Sequence, residues 1–245
     1  MECRKNNLKT KNTFDDYINI PFTIYNLDRY YIRTSIFSAV NECIKYFKGR
    51  LLDVGCGKMP YKDHIISNSE VIEYIGLDIE TALEYDKYIK PDYKWDGNII
   101  PFDNESFNTI IATEVLEHCQ EPSHTINEMY RVLKKEGFIF LTVPYIWPLH
   151  EVPHDEYRYT PFSLKRILFN AGFNKIEIKS TGGWHASLAQ MLGLWVRRSG
   201  LSKIKKSILS VILKPFILYL IKKDKPSSYF YEGLMIPNIY LTAIK

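Results

Sequence analysis

The sequence Leu-Leu-Asp-Val-Gly-Cys-Gly at residues 51–57 restricts the fold of this chain more than any other segment. Its apolar half has the composition of a buried β-strand that ends at Val54. Gly55 and Gly57 follow at once, and a turn through residues that lack a Cβ lets a ligand lie against the main chain. A dinucleotide-binding loop has a third glycine three residues later, where this chain has Pro60. The segment therefore predicts a tight turn from strand to helix in an α/β fold. Its functional interpretation is that the turn binds a ligand other than a dinucleotide.

Acidic residues follow two further predicted strands. Asp78 closes the apolar segment 74–78, and Asp96 precedes Gly97. An acid after the second strand of a doubly wound sheet is placed to accept hydrogen bonds from both hydroxyls of a ribose. A turn or helix-capping aspartate is the alternative for Asp78.

These motifs, in this order, resemble those of the class I S-adenosylmethionine (SAM) methyltransferases of the type 11 group. The resemblance covers residues 50–180 and includes Glu-Val-Leu-Glu-His at 114–118 and the segment 131–137. It implies SAM as cofactor and a Rossmann-like, doubly wound, mostly parallel seven-stranded sheet. Asn108 stands where the family usually has Asp, so we assign no role to that side chain. The residues expected to bind SAM are Asp53, Gly55, Cys56, Gly57, Asp78, Ile79, Asp96, Gly97, Thr113, Glu114 and His118.

The 245 residues are predicted to form a single domain with helices on both faces of the sheet. We divide it into an N-terminal helical cap (1–49), a SAM-binding core (50–180), a helical insertion or lid (181–236) and the last strand (237–245). A helix is expected at 27–47 and another at 161–171, the second with Thr160 as N-cap and Gly172 after its end. Strands are predicted at 50–54, 71–77, 93–95, 109–113, 138–143, 173–179 and 238–244.

Composition limits the cell compartment and the class of partner. The N-terminus has no apolar run of the kind found in secretory signals, and the four cysteines form no C-x-x-C pair. These features favour the cytoplasm. The formal net charge is only +4, and the basic residues do not form a polar stripe, so a nucleic-acid partner is not favoured.

The segment 144–161, which we name the acceptor segment, follows the predicted fifth strand and so begins at the ligand edge of the sheet. It contains His150-Glu-Val-Pro153-His-Asp155-Glu-Tyr-Arg158-Tyr159-Thr160. This pattern resembles a signature of methyltransferases associated with bacterial surface-polysaccharide and glycan biosynthesis. A loop pinned for structural reasons by His–Asp and Arg–Glu pairs is the alternative.

The acceptor segment favours transfer to oxygen, because an alcohol is a poor nucleophile until a general base removes its proton. We predict O-methylation of a hydroxyl on a sugar or glycan-type acceptor. His150 and His154 are the candidate bases, and Asp155 is expected to orient one of them. The residues expected to bind the acceptor are Tyr157, Arg158, Tyr159, Trp184 and His185.

Glu114, Glu117 and His118 support a different mechanism. If a helix begins at 114, these residues share one face and, with a histidine of the acceptor segment, are suited to bind Mg²⁺ or a transition metal. The run also resembles the metal site of RNA 2′-O-methyltransferases and of some quinone O-methyltransferases. Similar runs line the cofactor site in metal-free relatives, and we predict no metal. A non-catalytic SAM-fold binding subunit is a further alternative.

The segment 181–236 lies outside the cofactor motifs. Residues 202–221 are very apolar, but Lys214-Pro215 interrupts them, so two half-helices are expected and neither is long enough to span a bilayer. Residues 201–225 hold seven lysines and one acid. Such a segment favours peripheral contact with the anionic inner face of a membrane. A lid or a homodimer contact with solvated lysines is the alternative.

Overall fold

The computed structural model describes residues 17–80 and 89–245. The strands are β1 (Lys48–Val54), β2 (Glu70–Ile79), β3 (Tyr93–Trp95), β4 (Phe107–Thr113), β5 (Leu133–Pro144), β6 (Asn174–Ser180) and β7 (Asn238–Ile244). They form one seven-stranded sheet in the order β3-β2-β1-β4-β5-β7-β6. β7 is antiparallel to β5 and β6, and the other pairs are parallel. The predicted fold is confirmed.

The helices are α1 (Tyr30–Cys43), α2 (Lys62–Asn68), α3 (Pro122–Val132), α4 (Pro161–Ala171), α5 (Trp184–Arg198) and α6 (Lys203–Lys223). α4 has its predicted bounds: the Thr160 side chain accepts from the N–H of Ser163, and Gly172 ends the helix at φ 103°. α1 is shorter than the predicted helix 27–47. The chain before it turns at Asn26, and after Cys43 it tightens into a 3₁₀ turn, Ile44–Tyr46, that leads into β1.

Neighbouring residues of the central strands pack on opposite faces of the sheet, as the strand period of two requires. Leu51 packs with α1 and α2 on one face, and Leu52 packs with α3 and α4 on the other. Ile110 and Ile111 of β4 divide in the same way. Both faces of the sheet are therefore covered, and its ligand sites are confined to the strand ends.

The insertion before β7 contains α5 and α6, which pack against each other. Their contact buries Ala189, Ile217 and Leu220 together with Leu27, which precedes α1. The predicted break at Pro215 is wrong: α6 is one continuous helix of 21 residues with Pro215 inside it. Packing of the flanking turns against α5 holds the helix together although one backbone hydrogen bond is lost. Among the described residues, no helix is long and apolar enough to cross a membrane.

Candidate functional site

The turn after β1 is held in the conformation that its glycines permit. Gly55 has φ 66° and Gly57 has φ 49°, the left-handed region in which side chains are strained. A Cβ on Gly55 would lie 2.6 Å from the Val115 side chain, so the turn also has no room for one. The N–H groups of Gly55 and Cys56 donate to the carbonyl of Leu77, which ties the turn to β2. This loop lies at the carboxyl edge of the sheet, where the prediction placed it.

Asp53 lies in β1, two residues before this turn. Its side chain is buried, and one oxygen accepts a hydrogen bond of 2.5 Å from the hydroxyl of Tyr74. Burial raises the pKa of Asp53 to about 7. Tyr74 was not among the predicted site residues. Strand alternation identifies it in retrospect, because Asp53 lies on the same face as Leu51, and Leu51 pairs with Tyr74 in register.

Asp78 lies at the end of β2, beside the same turn. One carboxylate oxygen accepts from the N–H of Gly57 at 3.1 Å and the other from the N–H of Ile79 at 2.9 Å. Burial raises the pKa of Asp78, and the nearby charge of Glu151 acts in the same direction. The structure thus brings Asp78 and the glycine turn together, as predicted, and places the acceptor segment close to both.

Asp96 and Gly97 form an exposed turn after β3. The Asp96 carboxylate accepts from the N–H groups of Asn98 and Ile99, and these bonds lower its pKa. Gly97 has φ 86°, and a Cβ there would meet no atom of the described residues within 4 Å. Asn108 lies at the other end of the sheet, where its side chain accepts from the N–H of Arg50.

Glu114 does not begin a helix. The expectation that Glu114, Glu117 and His118 share one helical face required such a helix, so that expectation is wrong. Glu114 follows β4 with φ 57°, and a 3₁₀ turn, Leu116–His118, comes next. The Glu114 carboxylate accepts from the hydroxyl of Thr142 at 2.7 Å and from the amide of Asn238 at 3.0 Å. Burial raises the pKa of Glu114. Thr113, the last residue of β4, pairs with Thr142 in the sheet.

The acceptor segment folds onto the turn that follows β4. The N–H groups of Glu156 and Tyr157 both donate to the carbonyl of Glu117, and the Tyr159 hydroxyl donates to the carbonyl of Leu116. The motif Glu-Val-Leu-Glu-His and the acceptor segment are therefore one structural unit at the carboxyl edge of β4 and β5.

Asp155 is the centre of the acceptor segment. Its side chain is 1% exposed, and both oxygens accept from Arg158, at 2.7 and 2.9 Å. It also accepts from the backbone N–H of His150 and faces the ring Nδ1 at 3.2 Å. Burial acts against ionisation, but Arg158 and His150 lower the pKa of Asp155 to about 2. The predicted pairing of Asp155 with a histidine is present, and that histidine is His150.

His150 meets Glu117 and His118. The two imidazole rings are in edge contact with centroids 4.7 Å apart, and His118 Nε2 lies 3.8 Å from a Glu117 oxygen. The Glu117 side chain is completely buried, and neither of its oxygens has a hydrogen-bond partner among the described residues. Burial and the nearby Glu114 raise the pKa of Glu117 well above its usual value. Burial lowers the pKa of His150, although Asp155 acts in the opposite direction.

The sequence analysis named Glu117 only in the alternative metal-binding mechanism, and not among the residues expected to bind SAM or the acceptor. No local signal in the sequence shows that its side chain turns inwards, because this depends on the 3₁₀ turn and on the acceptor segment above it. His154, the other candidate base, is exposed, and it is its backbone carbonyl that His118 Nδ1 contacts at 2.9 Å.

The predicted acceptor-binding residues lie in different environments. Tyr157 is exposed and stacks on Tyr159, which is buried in the core. Arg158 directs its guanidinium to Asp155 and to backbone carbonyls of the same segment. Trp184 and His185 are exposed at the start of α5, and the Trp184 indole donates to the carbonyl of Gly233. The structure therefore gives Arg158 and Tyr159 partners within the protein.

Comparison with known proteins agrees with this architecture. Residues 52–141 match the family model described as a methyltransferase domain. No curated protein sequence matches the chain.

Solved structures with the same fold cover nearly all of this chain. A SAM-dependent methyltransferase from Thermotoga maritima, named a possible histamine N-methyltransferase, has a TM-score of 0.56 and 14% identity over 95% of this chain and 98% of its own. A SAM-dependent methyltransferase from Archaeoglobus fulgidus has a TM-score of 0.54 and 18% identity over 89% and 97%.

Phosphoethanolamine N-methyltransferase 2 from Haemonchus contortus, in complex with SAM, has a TM-score of 0.53 and 14% identity over 96% of this chain. The present chain spans only 60% of that protein. At these identities the similarity establishes the fold. Residues 52–141 thus resemble a methyltransferase domain in sequence, and the chain has the fold of the SAM-dependent methyltransferases.

Proposed function

We propose that this protein transfers the methyl group of SAM to a hydroxyl of a sugar or glycan-type acceptor. The observation that carries the proposal is the cluster of Glu117, His118 and His150, which the acceptor segment assembles beside the cofactor motifs. Alcohols need such a group because their oxygen attacks efficiently only as it loses its proton.

The cofactor side is supported by the turn of Gly55 and Gly57, by Asp78 and by the exposed turn of Asp96 and Gly97. Asp78 already accepts two backbone N–H groups, and a carboxylate at this strand end is suited to the ribose hydroxyls. The glycine turn presents main chain to the ligand. When bound, SAM supplies an activated methyl group, and this chain's residues bind it, orient the acceptor and exclude water.

The acceptor side is supported by the chemistry of the acceptor segment. Asp155 and Arg158 hold His150 in a fixed orientation, which removes an entropic cost from each turnover. Tyr157 offers an exposed aromatic ring, which suits the face of a sugar, while its hydroxyl donates to the carbonyl of Gln120. Arg158 acts in this proposal by positioning Asp155.

The proposal is tested by measuring SAM affinity and methyl release in the same samples. Calorimetry with Asp78→Ala should show SAM binding weakened at least about tenfold, because charge-assisted hydrogen bonds of about 1.5–3 kcal/mol each are lost. His150→Ala should keep SAM affinity but lower turnover by about 10²–10⁴-fold. His124→Ala, which removes a histidine on α3 whose ring contacts the carbonyl of Asn98, is the matched control and should be fully active.

The acceptor panel should contain free sugars, nucleotide sugars, glycans, RNA and small amines. Methyl release with a sugar or glycan supports the proposal, whereas release with RNA alone would overturn the acceptor class. SAM binding without release to any of them would leave a non-catalytic binding subunit.

An amine acceptor is the second candidate, and two buried carboxylates favour it. The nearby charge of Glu114 raises the pKa of Glu117, and a cationic amine would relieve that repulsion. Two of the structurally similar proteins carry N-methyltransferase in their names. Amine methylation that survives in His150→Ala would favour this candidate, because a deprotonated amine needs no further general base.

A further inference from the structure

We propose that Glu117, His118 and His150 bind a divalent transition metal, which in turn binds the acceptor hydroxyl. One carboxylate oxygen and one nitrogen from each imidazole lie within 4.8 Å of one another. Metal–ligand bonds of about 2.0–2.2 Å need donors roughly 3–3.5 Å apart, so small side-chain rotations close the site. The catalytic role of this metal rests on the proposed function, whereas metal binding at these residues does not depend on that function.

Both histidines are held as metal ligands usually are. His118 Nδ1 lies 2.9 Å from the carbonyl of His154, and His150 Nδ1 lies 3.2 Å from the Asp155 carboxylate. An Nδ1–H that donates to an oxygen leaves Nε2 with its lone pair, and metal-bound histidines typically donate their other ring N–H to a carbonyl or carboxylate. Arg158 completes this outer layer, because it fixes both oxygens of Asp155.

The third ligand is a carboxylate that the protein leaves without a partner. Both oxygens of Glu117 are buried and accept no hydrogen bond among the described residues. Burying an ionised carboxylate is costly unless a charge or donors compensate it. Glu114 and Asp155 carry charge of the same sign, and the oppositely charged Arg158 already donates to both oxygens of Asp155. A divalent cation between Glu117 and the two rings would supply the missing charge.

The donor set indicates the class of metal. Mg²⁺ and Ca²⁺ prefer oxygen ligands only, whereas two imidazoles and one carboxylate are typical of Zn²⁺, Fe²⁺, Co²⁺ and related ions. Three protein ligands leave coordination positions open for the acceptor. Glu114 is not part of this cluster, and Thr142 and Asn238 both donate to one of its carboxylate oxygens.

A metal at this position would lower the pKa of a bound hydroxyl. With the metal bound, His150 would act as a ligand and not as the general base, so the acceptor would release its proton to solvent water and its oxygen would attack the methyl carbon. The carbon–sulfur bond breaks and the electron pair remains on sulfur. The products are the methyl ether, S-adenosylhomocysteine and one proton.

The test is metal binding by the complete protein, without SAM or acceptor. Calorimetry and elemental analysis with Zn²⁺ and Co²⁺ should show about one site per chain, and the Co²⁺ absorption spectrum should report nitrogen and oxygen ligands. Glu117→Gln and His150→Ala should each weaken binding by more than about tenfold. His124→Ala is the matched control and should bind as the unmodified protein does.

Thermal unfolding distinguishes a variant that folds but no longer binds the metal from a variant that fails to fold. The metal should raise Tm in the unmodified protein and in the control, but not in Glu117→Gln, whose side chain has nearly the same shape. Absence of a stoichiometric site for either ion, or equal affinity in Glu117→Gln and the control, would overturn the proposal. Metal binding without SAM binding would refute the proposed function and leave the metal site standing.

A different observation supports a second proposal, which concerns α6. This helix buries one apolar side and exposes another. Buried are Ser210, Ile217 and Leu220. The exposed side, which we name the outer stripe, consists of Ile204, Ile208, Val211, Ile212, Pro215 and Tyr219. The spacing of three and four residues places them on one face, over a length of about 22 Å.

We further propose that the outer stripe docks onto an anionic membrane surface. Five exposed lysines lie at the two ends of the stripe, namely Lys203, Lys205, Lys222, Lys223 and Lys225. Asp224 is the one acid of residues 201–225, and it accepts from the N–H groups of Gly183 and Ala186. Apolar side chains flanked by lysines suit the boundary between lipid headgroups and acyl chains. A second copy of this face would instead bring lysines against lysines.

The test is sedimentation with phosphatidylcholine vesicles that contain or lack phosphatidylglycerol. Binding should require the anionic lipid and decrease as salt screens the lysines. Ile208→Gln combined with Ile212→Gln should reduce binding at least about tenfold. Ile72→Gln, at an isoleucine that is 87% exposed on β2, is the matched control and should bind normally.

Sedimentation velocity without vesicles tests whether a second copy of the chain, and not a membrane, covers the outer stripe. A dimer that the Ile208 and Ile212 substitutions dissociate, in a protein that does not bind vesicles, would overturn the membrane proposal. Equal binding to both kinds of vesicle would overturn its electrostatic part.

Discussion

Substitution of Asp53 by asparagine should change how stability depends on pH. Burial raises the pKa of this carboxyl to about 7 from its ordinary value of 3.8, because the ionised form loses its hydration. Asparagine has nearly the same shape, keeps an oxygen to accept from Tyr74 and carries no charge. The comparison of the two proteins therefore isolates the ionisation of Asp53.

The sign follows from proton binding in the two states. Between the two pKa values the folded protein holds a proton on Asp53 that the unfolded chain has released. The protonated Asp53 carboxyl therefore stabilises the folded protein fully at a pH below its pKa in the unfolded chain. This stabilisation is lost as the pH rises through its pKa in the folded protein. From about pH 5 to about pH 8, the unmodified protein should lose about 3 kcal/mol relative to Asp53→Asn.

The assay is urea unfolding of both proteins across this pH range, without cofactor, followed by circular dichroism and tryptophan fluorescence. Other titrating groups are shared and cancel in the difference. Tyr74→Phe is a useful second variant: it removes the hydrogen bond that favours the ionised form, so the loss should extend to higher pH. Parallel pH profiles for the unmodified protein and Asp53→Asn would refute the reasoning, because they would show that Asp53 titrates alike in both states.

Gly55→Ala should destabilise the protein by more than about 2 kcal/mol in urea unfolding, because it adds strain at a positive φ and a clash with Val115. Gly97→Ala shares the positive φ but meets no atom of the described residues, so it should cost only about 1–2 kcal/mol. Equal losses in the two variants would show that the clash with Val115 contributes nothing. Thr160→Ala should cost about 1 kcal/mol in the same assay, since it removes the N-cap of α4, and an unchanged midpoint would show that solvent replaces the cap. Pro215→Ala should raise stability by up to about 3 kcal/mol, because it restores a helical hydrogen bond in α6, and a loss would indicate that the proline ring is packed.

The strand plan was readable from local sequence. The strands ending at Val54 and Thr113 were predicted to the residue at that end, and β3 and β7 were predicted at both ends, because apolar runs and turn residues decide these boundaries locally. The bounds of α4 followed from Thr160 and Gly172, which act within one helical turn. The continuity of α6 across Pro215 depended instead on its contact with α5, which propensity does not express.

The sequence by itself determined the order of the strands along the chain, the glycine turn after β1 and the placing of the acids at the ligand edge. Each depends on neighbouring residues and on the geometry of parallel strands. Only the tertiary structure decided which side chains meet: Asp53 faces Tyr74, and Glu117 turns inwards to His118 and His150. Tyr74 follows Asp53 by 21 residues, and His150 follows Glu117 by more than thirty. The geometry of these two contacts is set by strand register and by the fold of the acceptor segment, which no local pattern encodes.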